Sequence, residues 1–60
     1  MTKLQRYLDS RGISRRALVR MTGIDLKTVS ALAEGRRGGR VETWRLMASK
    51  LGCQLSEIME

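Results

Sequence analysis

Histidine, proline and phenylalanine are absent from this chain, cysteine, tryptophan and tyrosine occur once each, and no long apolar run interrupts the charged residues. Each absence closes a route. One cysteine cannot form an internal disulfide, and without histidine or partner cysteines Cys53 cannot assemble a metal site. The same lack leaves no pairing of nucleophile with base and no clustered carboxylates, so neither an enzyme, a cofactor nor a small-molecule ligand is expected. No segment approaches the roughly 20 apolar residues that cross a bilayer. Residues Thr2 to Leu8 mix Lys3, Gln5 and Arg6 with single leucines, so no secretory signal is read there and a cytoplasmic address is expected.

At 42% hydrophobic the chain is too apolar to be disordered. Its 60 residues make one small domain, 1–60, and domains of this size bury only about 60% of their unfolded surface. Stability must then come from compact packing. The net charge is +6, and all of it lies in residues 11 to 40, which hold Arg11, Arg15, Arg16, Arg20, Lys27, Arg36, Arg37 and Arg40 against Asp25 and Glu34. The remaining residues balance to zero. A basic run is often only a solvated surface, but segregation of this kind is what a polyanion-binding face requires. Arginine dominates, and its planar fork suits phosphate and guanine. Cations spread over several short segments and a glycine-rich loop argue against a helix lying on a membrane.

The pattern of apolar residues is helical throughout, with no β-type alternation and no repeat. Thr2 to Gln5 reads as a capping box, after which Leu4, Tyr7 and Leu8 form a stripe that stops at Gly12. From Ser14 to Gly35 the chain writes two short amphipathic helices around Gly23, a helix-turn-helix pattern. Ser14 caps the first, in which Ala17, Leu18 and Met21 recur. Asp25 caps the second, in which Ile24, Val29, Leu32 and Ala33 recur. Leu26, Lys27, Ser30 and Ala31 are left facing outward, a small, apolar and cationic set suited to base-pair edges. Leu26 has an alternative place in the core, and Lys27 an alternative partner in phosphate. Gly35 to Arg40 reads as a flexible basic loop. Val41, Trp44, Met47, Ala48 and Leu51 give a fourth helix ending at Gly52, and Leu55, Ile58 and Met59 suggest a fifth. Cys53 and Trp44 read as core residues. The expected fold is all-α, a compact five-helix domain.

These residues resemble the lambda-repressor-like, Cro/C1-type helix-turn-helix domain, over nearly the whole chain. The resemblance is carried by Gly12-Ile13-Ser14, Leu18, Gly23-Ile24, Val29-Ser30, Glu34-Gly35-Arg36, Glu42-Thr43, Leu51-Gly52-Cys53, Leu55 and Ile58. It implies that helix three enters the major groove of double-stranded DNA, with Leu26, Lys27 and Ala31 at base-reading positions and Thr28 beside them. It implies phosphate contacts at the starts of helices two and three and in the loop, from Ser14, Arg15, Arg16, Ser30, Arg36, Arg37 and Arg40. It places dimer contacts near helix five, at Leu55, Ile58 and Met59. The implied function is a sequence-specific transcriptional regulator, repressor-like and of phage or bacterial type, acting as a homodimer at least on DNA at a pseudo-palindromic operator. The alternative is an antitoxin-like protein that binds both DNA and a partner toxin. The chain departs from the family in three places. Leu8 and Ala33 stand where relatives often pair an Arg with a Glu, and an apolar contact can replace that pair at little cost. Val19 replaces a usual Ala, and Gly39-Arg40 replaces the usual Pro and Ser or Thr cap before helix four.

Overall fold

The computed structural model describes residues 1–36 and 38–59. Four α-helices run in order, α1 (Lys3–Arg11), α2 (Arg15–Thr22), α3 (Leu26–Glu34) and α4 (Val41–Leu51), followed by a 3₁₀ turn at Leu55–Glu57. The expected fifth helix is thus a single tight turn. Its winding has a packing reason: at three residues per turn, Ile58 lies directly below Leu55, and Ile58 is completely buried. Glu57 closes the turn by accepting from the Gln54 backbone N–H at 2.7 Å.

Local chemistry sets the helix ends. The hydroxyl of Thr2 accepts from Gln5 N–H at 3.1 Å, that of Ser14 from Ala17 N–H at 3.0 Å, and the carboxylate of Asp25 from Thr28 N–H at 3.2 Å. Each satisfies one orphan donor of a first turn. The capping box expected at Thr2 is only half closed, because the Gln5 side chain turns away to donate to Asp9 and to accept from Arg15. At Gly23 the chain takes φ +77°, a left-handed conformation that glycine adopts without the Cβ clash other residues meet, and this turn swings α3 away from α2.

Among the described residues the largest fully buried side chains are Leu4, Leu8, Leu18, Val29, Leu32, Met47 and Ile58. Every helix contributes to this one cluster. Tyr7, Ala33, Trp44 and Ala48 complete it, with Ile13, Val19, Ile24, Leu51, Cys53, Leu55 and Met59 packed half-buried against it. Leu8 and Ala33 are both in the core, as an apolar substitute for a buried ion pair requires. Cys53 is half-buried, and burial pushes its thiol up, toward the protonated and unreactive form. Two residues expected on apolar stripes are exposed instead, Met21 at the end of α2 and Val41 at the start of α4, where the helix ends project past the core. Of the dimer contacts expected at the C-terminal segment, Ile58 is completely buried and has no surface to offer, whereas Leu55 and Met59 pack half-buried against the core and keep part of their surface.

The connection from α3 to α4 is anchored where a mobile loop was expected. The Trp44 indole N–H donates to the Gly38 carbonyl at 2.6 Å. Gly39, at φ +70°, lies so close to the core that an added Cβ would stand 2.7 Å from Leu32 Cδ2 and 3.1 Å from Trp44 Nε1. Gly12 has a similar φ, +66°, with nothing within 4 Å of an added Cβ. Gly12→Ala should therefore cost only the left-handed backbone penalty, about 1–2 kcal/mol, whereas Gly39→Ala should cost more because buried Leu32 and Trp44 must also move. Chemical denaturation of the two variants checks this, and equal losses would contradict the packing of Gly39.

Candidate nucleic-acid interface

The inner side of α3 is fixed by Val29, Leu32 and Ala33, so helical periodicity turns Lys27 to the far side, while Leu26, seven residues before Ala33 and on nearly the same side, lies at the exposed start of the helix. Leu26 is 39% exposed, which excludes its inward alternative, and Lys27 is exposed beside it. Ser30 is half-buried. Ala31 is a correction: expected on the outer face, it is only 5% exposed.

Basic side chains flank the start of α3 on both sides. On one side Leu26 shares a small cleft of about 180 Å³ with Arg16, Val19 and Arg20 of α2. On the other, Thr28 borders a cleft of about 510 Å³ with Gly38, Gly39, Arg40 and Thr43. At this cleft α4 begins, and Arg40, at the cap position just before it, makes no side-chain cap to the first backbone donors of α4. Among the described residues, Arg16, Arg20, Lys27 and Arg40 form no ion pair. Ser14 is exposed at the start of α2, its hydroxyl accepting from Ala17 and keeping its hydrogen to donate. The Thr28 hydroxyl donates to Asp25 at 2.7 Å, so Asp25 is occupied as a cap.

Two of the expected phosphate-binding arginines are held differently. Arg15 donates from Nη1 to Glu34 at 2.8 Å and from Nε to Gln5 at 3.0 Å, tying α2 to α3 and α1. Arg36 donates from Nε to the other oxygen of Glu34 at 2.7 Å. One carboxylate thus serves two cations at the end of α3. Arg37 lies outside the described residues. Sequence reasoning missed Glu34, Arg20 and Thr43. Arg20 was legible as the residue one turn beyond Arg16 on the same side of α2. The partnership of Arg15 with Glu34 joins residues far apart in sequence and had no local signal.

The hydrogen bond from Arg15 first, and the charge of Arg36 second, hold the Glu34 carboxyl below its ordinary value of 4.5. A depressed folded value contributes stability that is present above the unfolded value and is lost as pH falls through the folded one. The Glu34 carboxyl followed by NMR should therefore titrate below 4.5 and move up in Arg15→Ala. A midpoint indifferent to that substitution would contradict the assignment of Arg15 as the leading cause.

None of the helices in the described residues is long and apolar enough to cross a membrane. No curated protein and no solved structure matches the chain. A family model described as the Cro/C1-type HTH DNA-binding domain matches residues 3–60, the full span of the helices and clefts described above, and the chain belongs to that DNA-binding family.

Proposed function

We propose that the chain is a sequence-specific regulator of transcription that places the start of α3 in the major groove of double-stranded DNA. The observation that carries this reading is the exposed pair Leu26 and Lys27 on a helix whose other face is locked in the core, between Arg16 and Arg20 on one side and Arg40 on the other. Lys27 donates to guanine O6 and N7, and Leu26 packs on a thymine methyl. Thr28, whose hydroxyl donates to Asp25, lies beside the base-reading pair. Ser14, Ser30, Arg16, Arg20 and Arg40 hold phosphates around this contact. Arg15 and Arg36 join them by exchanging Glu34 for phosphate oxygens.

Two copies act on one pseudo-palindromic operator, and regulation is repressor-like, by occupying a promoter. The cell compartment is the one that holds DNA, in a bacterium or an infecting phage. A protein that co-purifies with the chain and covers the α3 face would instead favour the toxin-neutralising reading.

Base reading and phosphate holding leave different signatures, and Lys27→Ala against Arg40→Ala separates them. Lys27→Ala should cost about 1–3 kcal/mol at the preferred site and relax preference at one symmetric base pair. Arg40→Ala should weaken all sequences alike and reduce the log-log salt slope by about 0.9 per lost phosphate contact. Affinities of both variants across all single-base operator variants, at several salt concentrations, make the test. Unchanged base preference in Lys27→Ala would remove it from the base readers.

A further inference from the structure

Residues 11 to 40 carry two acids, Asp25 and Glu34. Asp25 caps the start of α3. Glu34 has no such role, because it is the last residue of α3, where the helix dipole disfavours a carboxylate, and the helix is ended by Gly35 at φ +76°. What Glu34 does is hold cations. Its Oε2 accepts from Arg15 Nη1 at 2.8 Å and its Oε1 from Arg36 Nε at 2.7 Å, so each oxygen of one carboxylate is taken by a different guanidinium.

Arg15 opens α2 and Arg36 follows α3, so the two cations come together from the two ends of the helix-turn-helix. A phosphate diester offers them what Glu34 offers, one negative charge shared by two oxygens on one atom, and guanidinium groups bind either partner. Arg15 is also held through Nε by the Gln5 side chain at 3.0 Å, which keeps it at the start of α2 when the carboxylate leaves. The Glu34 side chain is 42% exposed and borders a cleft of about 600 Å³ with Thr2, Gln5 and Arg15, so it has open space to turn into.

We propose that Arg15 and Arg36 form a single phosphate site that Glu34 fills in the free chain, which makes Glu34 an internal competitor that lowers affinity for every duplex. The proposal rests on the DNA-binding reading for its ligand, a phosphate diester of the backbone, and not on the reading of bases. Exposed ion pairs contribute little each, but two are given up whenever the site takes a phosphate, so removing the charge of Glu34 should raise affinity about three- to tenfold. The loss is the same on every sequence. Glu34 therefore sets how tightly the chain holds DNA and leaves the choice of bases to the start of α3.

The test compares the unaltered chain with Glu34→Gln and Asp9→Asn, on the preferred duplex and on a scrambled one, at fixed salt. Glutamine keeps the size of Glu34 without its charge. Asp9→Asn removes the same charge from α1 and keeps an oxygen for the Gln5 amide, so it measures the effect of net charge alone. Glu34→Gln should bind both duplexes about three- to tenfold tighter, and Asp9→Asn less than about twofold tighter. A second measurement needs no change at Glu34: on saturation with either duplex, the NMR signal of the Glu34 carboxyl carbon should move toward its position in the free Arg15→Ala/Arg36→Ala chain. Equal gains for Glu34→Gln and Asp9→Asn, no gain in a Glu34→Gln chain shown to be folded by circular dichroism, or a carboxyl signal unmoved by DNA overturns the proposal. If Glu34→Gln does not fold, the carboxyl signal decides. Tighter binding by Glu34→Gln with no preference between the duplexes contradicts the sequence-specific reading and leaves the competitor standing, whereas a clear preference without that gain does the reverse. Failure of every chain to bind either duplex overturns both.

Discussion

On the proposed reading the nine residues of α3 are held by one face and meet DNA with the other, and the rest of the chain serves that constraint. Val29, Leu32 and Ala33 belong to the same apolar cluster as residues of α1, α2 and α4, which fixes the rotation of α3 about its own axis. A slip of one residue would turn the helix by about 100° and carry Leu26 and Lys27 off the outer face. Both ends of α3 are secured against such a slip. Asp25 caps the start, and at the other end the Thr2 hydroxyl donates to the Ala33 carbonyl at 2.6 Å, linking the cap of α1 to a carbonyl in the last turn of α3.

Around this fixed helix the charges fall into two groups with different work. Arg16, Arg20, Lys27 and Arg40 surround the start of α3 without ion-pair partners among the described residues, so an approaching polyanion meets them directly. Arg15 and Arg36 are gathered by Glu34 at the far end. Glu34 and both arginines retain substantial solvent exposure, and ion pairs of that kind are worth little, so trading a carboxylate for a phosphate costs little. On the proposed reading Glu34 keeps the two guanidinium groups in place for that trade. The cations without ion-pair partners among the described residues thus gather around the start of α3, where the exposed Leu26 and Lys27 are.

What the sequence made legible was local. Thr2, Ser14 and Asp25 mark helix starts because each needs only a donor two or three residues away, and Gly12, Gly23 and Gly52 mark the ends of α1, α2 and α4. The apolar replacement at Leu8 and Ala33 was readable because both members of a pair change together. What remained hidden depends on contacts across the fold. The hydrogen bond from Trp44 to Gly38 fixes a segment whose glycines and arginines suggest mobility. Ala31 is buried although a helical wheel of residue types puts it on the outer face. The C-terminal apolar residues look like surplus until the core is seen to accept Ile58 completely and to hold Leu55 and Met59 at its edge. The union of Arg15, Gln5 and Glu34 spans three helices.

The central claim is that the start of α3 reads base edges, so that charge alone does not account for binding. Equilibrium selection from a pool of duplexes with a long randomised segment tests it most directly. The account predicts convergence on one family of related sequences with two-fold symmetric halves about 10 bp apart. A retained pool as random as the starting one, held only through salt-sensitive attraction to the backbone, would contradict it.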